Sequence, residues 1–523
     1  MSPTTSVSAP TSTGARPPLG VRERLGGWGT HVLVAVGSVW ATWVIVAVFA
    51  AQAGLLAVSL RESLYDEAYH LKAIGYFADG GSPWGTQPGS LTGVGDLERY
   101  GSYLYHWLFS YPWRWTDGLA DDTRRTVLRL LTVLLVSGAL LAIRRLGRAL
   151  GLSGLASNIV VLIVAAVPMT TFLAVTVNYD NLAFLLLPLM WIPAVRLLGA
   201  DRIDGYGWTF FLLAAAGLSL SKYSMLPLVG VTGIAVIVAQ VRVLRRTRSL
   251  GLDRWRWRPG PVAALVAVVI AVAALVERYG VNLLRFRAVQ PDCADVQTVR
   301  ICRTWGPWGR NYNLDRVNVD DPFTVGGLIQ YVTHEWVPRT LSSWSLFPVG
   351  GEEGTLATTG PHILGTALVV GVVGTVLLIV LAPRAALARP GGLTLFLASA
   401  AYLVILVSEN FSDYLDLGEV VAVQGRYLQP VMVPLLLLAA RALTAILAMN
   451  GRPVGIAMRW GGLVLLVFGL SQTAGLIGIL ARSEPEWFRE SRFTPAVLEI
   501  RDRAERIVIG DELVPDLRTV AQT

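Results

Sequence analysis

The chain has 523 residues, of which 53% are hydrophobic and only 15% are charged, and its mean hydropathy is +0.53. A soluble domain carries roughly 25% charged residues, whereas the hydrophobic residues here fall in nearly uncharged runs of about 20, long enough to cross a bilayer. The sequence therefore predicts a polytopic membrane protein. The same composition excludes a disordered chain, a collagen-like repeat and a disulfide-rich secreted scaffold.

Basic residues outnumber acidic residues by 44 to 36, which gives a net charge of +8. The arginines gather beside the hydrophobic runs, as the positive-inside rule describes, so we expect no nucleic-acid partner. Lys72 and Lys222 are the only lysines in the sequence. This preference for arginine, together with abundant alanine and valine, is typical of a GC-rich bacterial source.

The hydrophobic runs divide the chain into three parts. Residues 1–20 have no hydrophobic core of the kind that a secretory signal needs, and we expect residues 1–30 to form a disordered cytoplasmic tail. Residues 31–481 are predicted to form an all-α polytopic membrane domain, and residues 482–523 an extracytoplasmic tail. The predicted transmembrane helices, about eleven in number, lie near 31–53, 126–143, 155–174, 181–198, 208–220, 224–241, 261–277, 363–382, 393–408, 428–447 and 461–480.

The arginine clusters predict how this domain sits in the cell membrane. Clusters before the first helix, after the second and at 242–258 lie on one side if the N-terminus is cytoplasmic. Two long loops, 54–125 and 278–362, then face the outside, and their tryptophans and tyrosines predict juxtamembrane helices on the lipid surface. Cys293 and Cys302 lie in the second loop and are expected to form a disulfide in an oxidising compartment. Two unrelated thiols are the alternative, and a zinc site would lack ligands.

The densest polar cluster follows the first helix directly, at Asp66, Glu67, Tyr69, His70 and Lys72. Adjacent side chains on a helix point about 100° apart, so one carboxylate can act as a base while the other orients a partner or holds a cation. A divalent cation, Mg²⁺ or Mn²⁺, bound by these two carboxylates is the only cofactor that the pattern suggests. An ordinary solvated helix start is the alternative.

Four further clusters are candidates for substrate binding. Tyr and Trp rings pack on sugar faces, and an Asp at the edge of a hydrophobic helix is costly unless it is paired, functional or an N-cap. Lys and Arg on the outer side suit a phosphate at headgroup depth, with snorkelling of Lys222 as the alternative. An interfacial aromatic belt is the alternative for the first of these clusters. The residues are Tyr103 and His106; Asn178 and Asp180; Lys222 and Tyr223; and Gln424, Arg426 and Tyr427.

All five clusters lie at the outer ends of predicted helices, which indicates one cavity at the membrane boundary. An Asp-Glu pair directly after a first helix, in a long outer loop, resembles the GT-C superfamily of membrane glycosyltransferases. The Asp-Glu-Ala-Tyr-His, Asn-Tyr-Asp-Asn, Ser-Lys-Tyr and Gln-Gly-Arg-Tyr segments are similar to a bacterial branch of that superfamily. The chain departs from related enzymes at one motif: they commonly have a His-Pro-Pro-type pattern, and this chain has Tyr105-His106-Trp107 in its place. The motifs therefore do not identify the donor sugar.

The resemblance implies a sugar transferred from a polyprenyl-phosphate donor to a cell-envelope glycan, a glycolipid or a secreted acceptor, with inversion at the anomeric carbon. It implies Asp66 as general base, and Glu67 as a residue that orients the acceptor or helps to bind a divalent ion. Lys222 and Arg426 would face the leaving phosphate, and His70, His106 and Asp180 the sugar or phosphate. Membrane lipid is the remaining partner. A transporter or flippase for a lipid-linked sugar or polyanion is the main alternative, and a membrane scaffold the second.

Overall fold

The computed structural model describes residues 35–61, 66–84, 100–247, 259–318, 322–345, 362–388, 390–448 and 479–509, apart from 481–482, 484 and 491–492. These residues are almost entirely helical. They contain no β-strand, only an isolated antiparallel bridge between Leu60 and Phe488. The all-α class expected from the sequence is therefore confirmed for this part of the chain. The predicted tail 1–30 and nearly all of the predicted span 461–480 lie outside the described residues.

The helices fall in the following chain order. They are α1 (Val39–Ser59), α2 (Glu67–Ala78), α3 (Leu104–Trp115), α4 (Asp121–Ala149), α5 (Gly154–Ala166), α6 (Pro168–Ala174), α7 (Asp180–Leu198), α8 (Gly205–Ser221), α9 (Leu226–Thr247), α10 (Pro259–Leu275), α11 (Val281–Phe286), α12 (Cys293–Val296), α13 (Val299–Cys302), α14 (Gly306–Asp315), α15 (Val325–Gln330), α16 (Val337–Ser345), α17 (His362–Leu381), α18 (Pro383–Leu387), α19 (Pro390–Leu417), α20 (Gln429–Leu447) and α21 (Thr494–Ile509). Tight helical turns at Tyr223–Met225 and Gly425–Leu428 lead into α9 and α20.

Seven helical segments in the described part are long and apolar enough to cross a membrane, or eight if a bent pair counts as one span. The predicted number of about eleven transmembrane helices is therefore not confirmed among these residues. Three of the predicted helices account for part of the difference. The segment at 155–174 is broken at Pro168, and α5 and α6 meet at 69° because a proline inside a helix removes a hydrogen bond. The segment at 208–220 lies in α8, a helix of only 17 residues. In α17 only Gly371–Leu381 is described in full, as a shorter apolar helix.

The interior of the bundle is built around α7, which packs against α4, α8 and α9. Trp191 of α7 is fully buried, and its indole N–H donates to Thr232 Oγ1 on α9 at 3.2 Å. By contrast, α10 exposes Val266, Val269 and Ile270, which suits a helix that faces lipid tails. Helix α7 thus fixes the positions of the surrounding spans, and the candidate site lies at its N-terminal end.

Candidate active site

Asp66 immediately precedes α2, where the backbone leaves α1 and turns into the first long loop. Its φ angle is +49°, a left-handed conformation that costs a non-glycine residue about 1–3 kcal/mol and often occurs at functional sites. The side chain is 48% exposed, and its Oδ2 accepts a hydrogen bond from Arg426 Nη2 at 2.6 Å. Arg426, by contrast, is buried. The backbone turn therefore exposes the Asp66 carboxylate to solvent, while the buried guanidinium group of Arg426 binds one of the two carboxylate oxygens.

Glu67, the next residue, points in a different direction and is completely buried. Its carboxylate accepts from Arg129 Nε at 2.9 Å and from Arg129 Nη2 at 2.6 Å. The backbone N–H of Val177 also donates to Glu67 Oε1 at 2.9 Å. The expectation that Glu67 orients the acceptor or holds a cation is not supported by this placement, because the carboxylate is enclosed within the bundle.

Arg129 is a residue that the sequence reasoning missed. It lies in α4, inside the hydrophobic segment predicted to span the membrane, and its side chain is only 1% exposed. Besides Glu67, its guanidinium donates to the backbone carbonyls of Leu60, at 2.7 Å, and of Arg61. It therefore ties the end of α1 to the start of α2. An arginine within a span is rare unless it is paired or functional, and that rule was the signal available in the sequence.

Lys222 follows α8 and forms a buried ion pair with Asp180, the first residue of α7. The ammonium nitrogen lies 5.0 Å from the ring centres of both Tyr179 and Tyr427, within the range of cation–π attraction. Asn178 Oδ1 accepts the backbone N–H of Asp180 at 2.8 Å. Asn178 therefore supplies the local helix-start contact, which leaves the carboxylate of Asp180 to pair with the lysine.

Gly425 sets the position of Arg426 against α16. Its backbone N–H donates to Ser343 Oγ at 2.6 Å, and a Cβ atom added to it would lie 2.5 Å from the backbone nitrogen of Trp344. Only glycine allows this close approach of two backbones. On the other side, Arg426 Nη2 lies 3.4 Å from the hydroxyl of Tyr427. The Gln-Gly-Arg-Tyr segment thus delivers one cation and one aromatic ring to the group around Asp66.

His70 and His106 form a buried pair beneath this group. His70 Nδ1 and His106 Nε2 are 2.8 Å apart, and the ring of Tyr179 meets that of His70 edge-on at 4.7 Å. Burial lowers the pKa of His106 to about 3. Burial first, then the charges of His106, Arg426 and Lys222, lower the pKa of His70 well below its ordinary value. Both rings are therefore neutral at pH 7, and being buried they support the site from behind.

Tyr69 extends the aromatic surface towards the second long loop. Its ring stacks on Trp305 with 6.3 Å between ring centres and 27° between planes. Trp305 comes three residues after Cys302, which forms a disulfide with Cys293. Nothing in the local sequence around Trp305 distinguishes it from the other loop tryptophans, so only the three-dimensional structure relates it to the site.

Other predicted residues lie outside this group or at its edge. Lys72 is exposed on α2, and Tyr103 is buried under the guanidinium of Arg278, 4.5 Å from its ring centre, in a separate aromatic cluster. Tyr223 is exposed beside Lys222, and Gln424 is partly buried beside Gly425. The structure therefore brings together one charged residue from each of four of the five clusters, but gives Tyr103 a packing role.

A divalent cation does not fit the residues proposed to hold it. No group of three or more His, Cys, Asp or Glu side chains converges in a metal-binding arrangement in the described part of the chain. Asp66 and Glu67 each pair with a guanidinium group, Arg426 and Arg129 respectively. In this arrangement a divalent cation at Glu67 would meet the guanidinium of Arg129 at close range, and one at Asp66 would have to displace the guanidinium of Arg426.

We define the boundary cluster as Asp66, Asp180, Lys222 and Arg426, with the rings of Tyr179 and Tyr427. Its two carboxylates and two cations balance in formal charge. Only Asp66 has a substantially exposed side chain, at 48%, against 8% or less for the other three charged groups. The arrangement combines one solvent-facing carboxylate, a group that can accept a proton, with two buried cations of the type that binds anions.

No family model matches the sequence, and a search of curated proteins gives no match. The fold is similar to solved structures of the oligosaccharyltransferase of Archaeoglobus fulgidus. The apo form has a TM-score of 0.43 at 13% identity, over 84% of this chain and 56% of that chain. A complex with an inhibitory peptide and a dolichol-phosphate has a TM-score of 0.41 at 11% identity, over 83% and 56%. A complex with Zn and sulfate has a TM-score of 0.39 at 11% identity, over 82% and 53%.

The chain thus spans little more than half the length of the solved structures that it matches. The TM-scores lie below 0.5, so neither residue roles nor substrates are transferred from these structures to this chain.

Proposed function

We propose that this protein is a membrane glycosyltransferase that moves a sugar from a polyprenyl-phosphate donor to a hydroxyl of a cell-envelope glycan, a glycolipid or a secreted acceptor. The observation that carries the proposal is the placement of Asp66. Its exposed carboxylate is held by the buried Arg426, and a second buried cation, Lys222, lies with Arg426 against the ring of Tyr427 at the ends of predicted spans. Transfer of a sugar from a lipid phosphate requires a base for the acceptor hydroxyl and cations for the phosphate. Both must lie at the membrane boundary, where the lipid-linked phosphate is.

Asp66 is proposed as the general base. Its Oδ2 is held by Arg426, while its Oδ1 has no partner among the described residues. Oδ1 would accept the proton of the acceptor hydroxyl as that oxygen attacks the anomeric carbon. The left-handed backbone at Asp66 fixes the direction in which the carboxylate points. Attack from the face opposite the phosphate would invert the anomeric centre.

Lys222 and Arg426 are proposed to receive the leaving phosphate. Fixed cations stabilise the negative charge that develops on the phosphate oxygens as the bond to the sugar breaks. In the structure each cation is neutralised by a carboxylate, Asp180 and Asp66 respectively. A donor phosphate would compete for both cations. Once Arg426 turns to the phosphate, both carboxylate oxygens of Asp66 are available to the acceptor hydroxyl, so donor binding would prepare the base for the acceptor.

The position of the boundary cluster suits a lipid-linked donor. Asp180 begins a predicted span and Arg426 lies in the first turn of another. The polyprenyl tail would lie among the lipid-facing helices while its phosphate lies at the boundary cluster. We place this end of the bundle on the extracytoplasmic side, because the arginine-rich segments lie at the opposite ends of the helices.

The deciding experiment is a transfer assay with purified protein in lipid vesicles, with polyprenyl-phosphate sugars and mixed acceptor glycans. Wild type should transfer sugar, and Asp66→Asn should bind donor without turnover. Asp117→Asn is the matched control, because Asp117 is an exposed aspartate that only approaches Arg124, at 3.8 Å. Equal transfer by wild type and Asp66→Asn would refute the assignment of the base. Donor movement across the vesicle without transfer in either protein would favour the transporter alternative.

A further inference from the structure

A polar cavity lies between the end of α1, the first turns of α4 and the segment that precedes α21. Its volume is about 640 Å³. It is lined by Leu60, Arg61, Asp122, Arg125, Arg129, Arg489 and Glu490. Four arginines and two acids make this lining net positive, and neither Lys222 nor Arg426 belongs to it. The proposed transfer reaction does not use this cavity, and the inference that follows does not rest on that reaction.

The chain builds the cavity from three distant segments. Asp122, Arg125 and Arg129 are spaced three and four residues apart, so they share one face of α4. The segment before α21 is tied to the end of α1 by two backbone hydrogen bonds: Arg489 N–H to the Ser59 carbonyl, at 2.9 Å, and Arg61 N–H to the Trp487 carbonyl, at 2.8 Å. This pairing holds Arg489 opposite α4.

The arginines of this cavity differ in how many of their N–H groups form hydrogen bonds within the protein. Arg129 donates hydrogen bonds to Glu67 and to two backbone carbonyls, so its guanidinium group lines the cavity in a fixed position. The nearest acidic group to Arg125 is Asp122, with 3.8 Å between Arg125 Nη1 and Asp122 Oδ1. The buried Nε of Arg125 has no hydrogen-bond partner in the described residues. A buried donor without a partner costs stability unless a ligand or water satisfies it.

Arg489 and Arg61 add further unused donors. Arg489 Nε donates to the Val58 carbonyl at 2.7 Å, whereas its Nη1 makes only a long contact of 3.5 Å with the Asp122 carbonyl. The side chain of Arg61 is exposed at the cavity. Burial, and next the charge of Arg129, lower the pKa of Arg489. Positive charge therefore accumulates here beyond what the neighbouring carboxylates neutralise.

We propose that this cavity binds a phosphate group, presented either by an anionic lipid headgroup or by a soluble phosphate compound. The planar fork of an arginine matches phosphate oxygens with two parallel hydrogen bonds, and Arg125 and Arg489 approach the cavity from opposite sides. The cavity opens where α1 ends and α4 begins, both of them predicted spans, which is headgroup depth in a bilayer. The bound phosphate would lie behind Arg129, and so apart from the phosphate that leaves during transfer.

The test uses the full-length protein purified in detergent, with Arg125→Gln, Arg489→Gln and the double variant. Arg503→Gln is the matched control, because Arg503 is an exposed arginine on α21 that pairs with Glu499 and does not line the cavity. Native mass spectrometry measures how much phosphatidylglycerol is retained relative to phosphatidylcholine. Thermal unfolding measures the effect of inorganic phosphate against sodium chloride at equal ionic strength.

In wild type and in Arg503→Gln, one of the two probes should bind, and the double variant should lose at least about tenfold in affinity for it. Retained phosphatidylglycerol without stabilisation by inorganic phosphate identifies the headgroup as the source. Stabilisation by inorganic phosphate identifies a soluble phosphate. The proposal is overturned if wild type and double variant respond equally to both probes. If the double variant does not fold, Arg125→Gln alone decides, because its side chain makes only the long contact with Asp122.

Discussion

Glu67 and Arg129 form a doubly hydrogen-bonded ion pair inside the bundle, with Nε–Oε1 and Nη2–Oε2 distances of 2.9 and 2.6 Å, and neither side chain is more than 1% exposed. The neighbouring Asp66 is 48% exposed and pairs with a different arginine, Arg426. Two adjacent carboxylates therefore lie in different environments. Glu67 is buried in a contact between α2 and α4, and Asp66 faces solvent.

Asp66→Asn should lower the rate of sugar transfer by about 10²–10⁴-fold, the usual loss when a general base is removed. The substitution keeps the shape of the side chain and removes its ability to take a proton. Donor affinity, measured by equilibrium binding of labelled polyprenyl-phosphate sugar, should stay within a few-fold of wild type. A variant that retains turnover would show that the proton acceptor lies elsewhere.

Glu67→Gln and Arg129→Gln should each destabilise the protein by about 3–5 kcal/mol, because removing one partner leaves a buried charge uncompensated. Denaturant-dependent unfolding in detergent is the measurement. The surface pair Arg503–Glu499 provides the control, and Glu499→Gln should change stability by no more than about 1 kcal/mol. If Glu67→Gln instead left stability unchanged and reduced turnover, Glu67 would have a direct role in the reaction.

Lys222→Ala and Arg426→Ala should reduce kcat/KM for the donor by about 10²–10³-fold, since each removes a cation proposed to stabilise the leaving phosphate. Arg426→Lys should recover little of this loss, because an ammonium lacks the planar fork of a guanidinium. Lys72→Ala is the comparison, since Lys72 is the other lysine of the chain and is exposed on α2. A similar loss of kcat/KM in Lys72→Ala would show that Lys72 also takes part in donor binding.

The buried histidine pair should make stability depend on pH. The pKa of His106 is lowered from 6.5 to about 3 by burial, so the unfolded chain binds more protons than the folded chain between these values. The stability contributed by the neutral pair is therefore fully present above pH 6.5 and is lost as the pH falls towards 3. The unfolding midpoint should drop between pH 7 and pH 5 in wild type and drop less in His106→Phe. His334→Gln, a change at an exposed histidine, should behave as wild type.

Trp305→Ala should raise the KM for the acceptor by about 2- to 12-fold, the effect of losing one aromatic stacking contact of about 0.5–1.5 kcal/mol, with little change in kcat. The expectation follows from the stack of Trp305 on Tyr69, beside the proposed base. Reducing the Cys293–Cys302 disulfide should act in the same direction, because that bond closes the chain just before Trp305. Trp115→Ala, at a tryptophan that is 80% exposed on α3, should leave the KM unchanged.

Hydrophobic length identified seven spans with approximately correct positions, because burial of apolar side chains in lipid depends on composition alone. Two further predicted spans are not confirmed among the described residues, because another constraint acts on each. Pro168 breaks one predicted helix, and α8 is too short to count as a full span. The arginine within a predicted span was a signal in the sequence, but the partner of Arg129 was not, because Glu67 lies 62 residues away.

The sequence by itself predicted a helical, polytopic protein, and it proposed Asp66, Asp180, Lys222 and Arg426 as candidate site residues near helix ends. Only the tertiary structure decided which of them pair, since Asp66 meets Arg426 across 360 residues and Lys222 meets Asp180 across 42. It also decided that Glu67, one position from Asp66, is buried. The physical reason is that side-chain pairing and burial depend on how helices pack against one another, whereas membrane insertion depends on the composition of each helix alone.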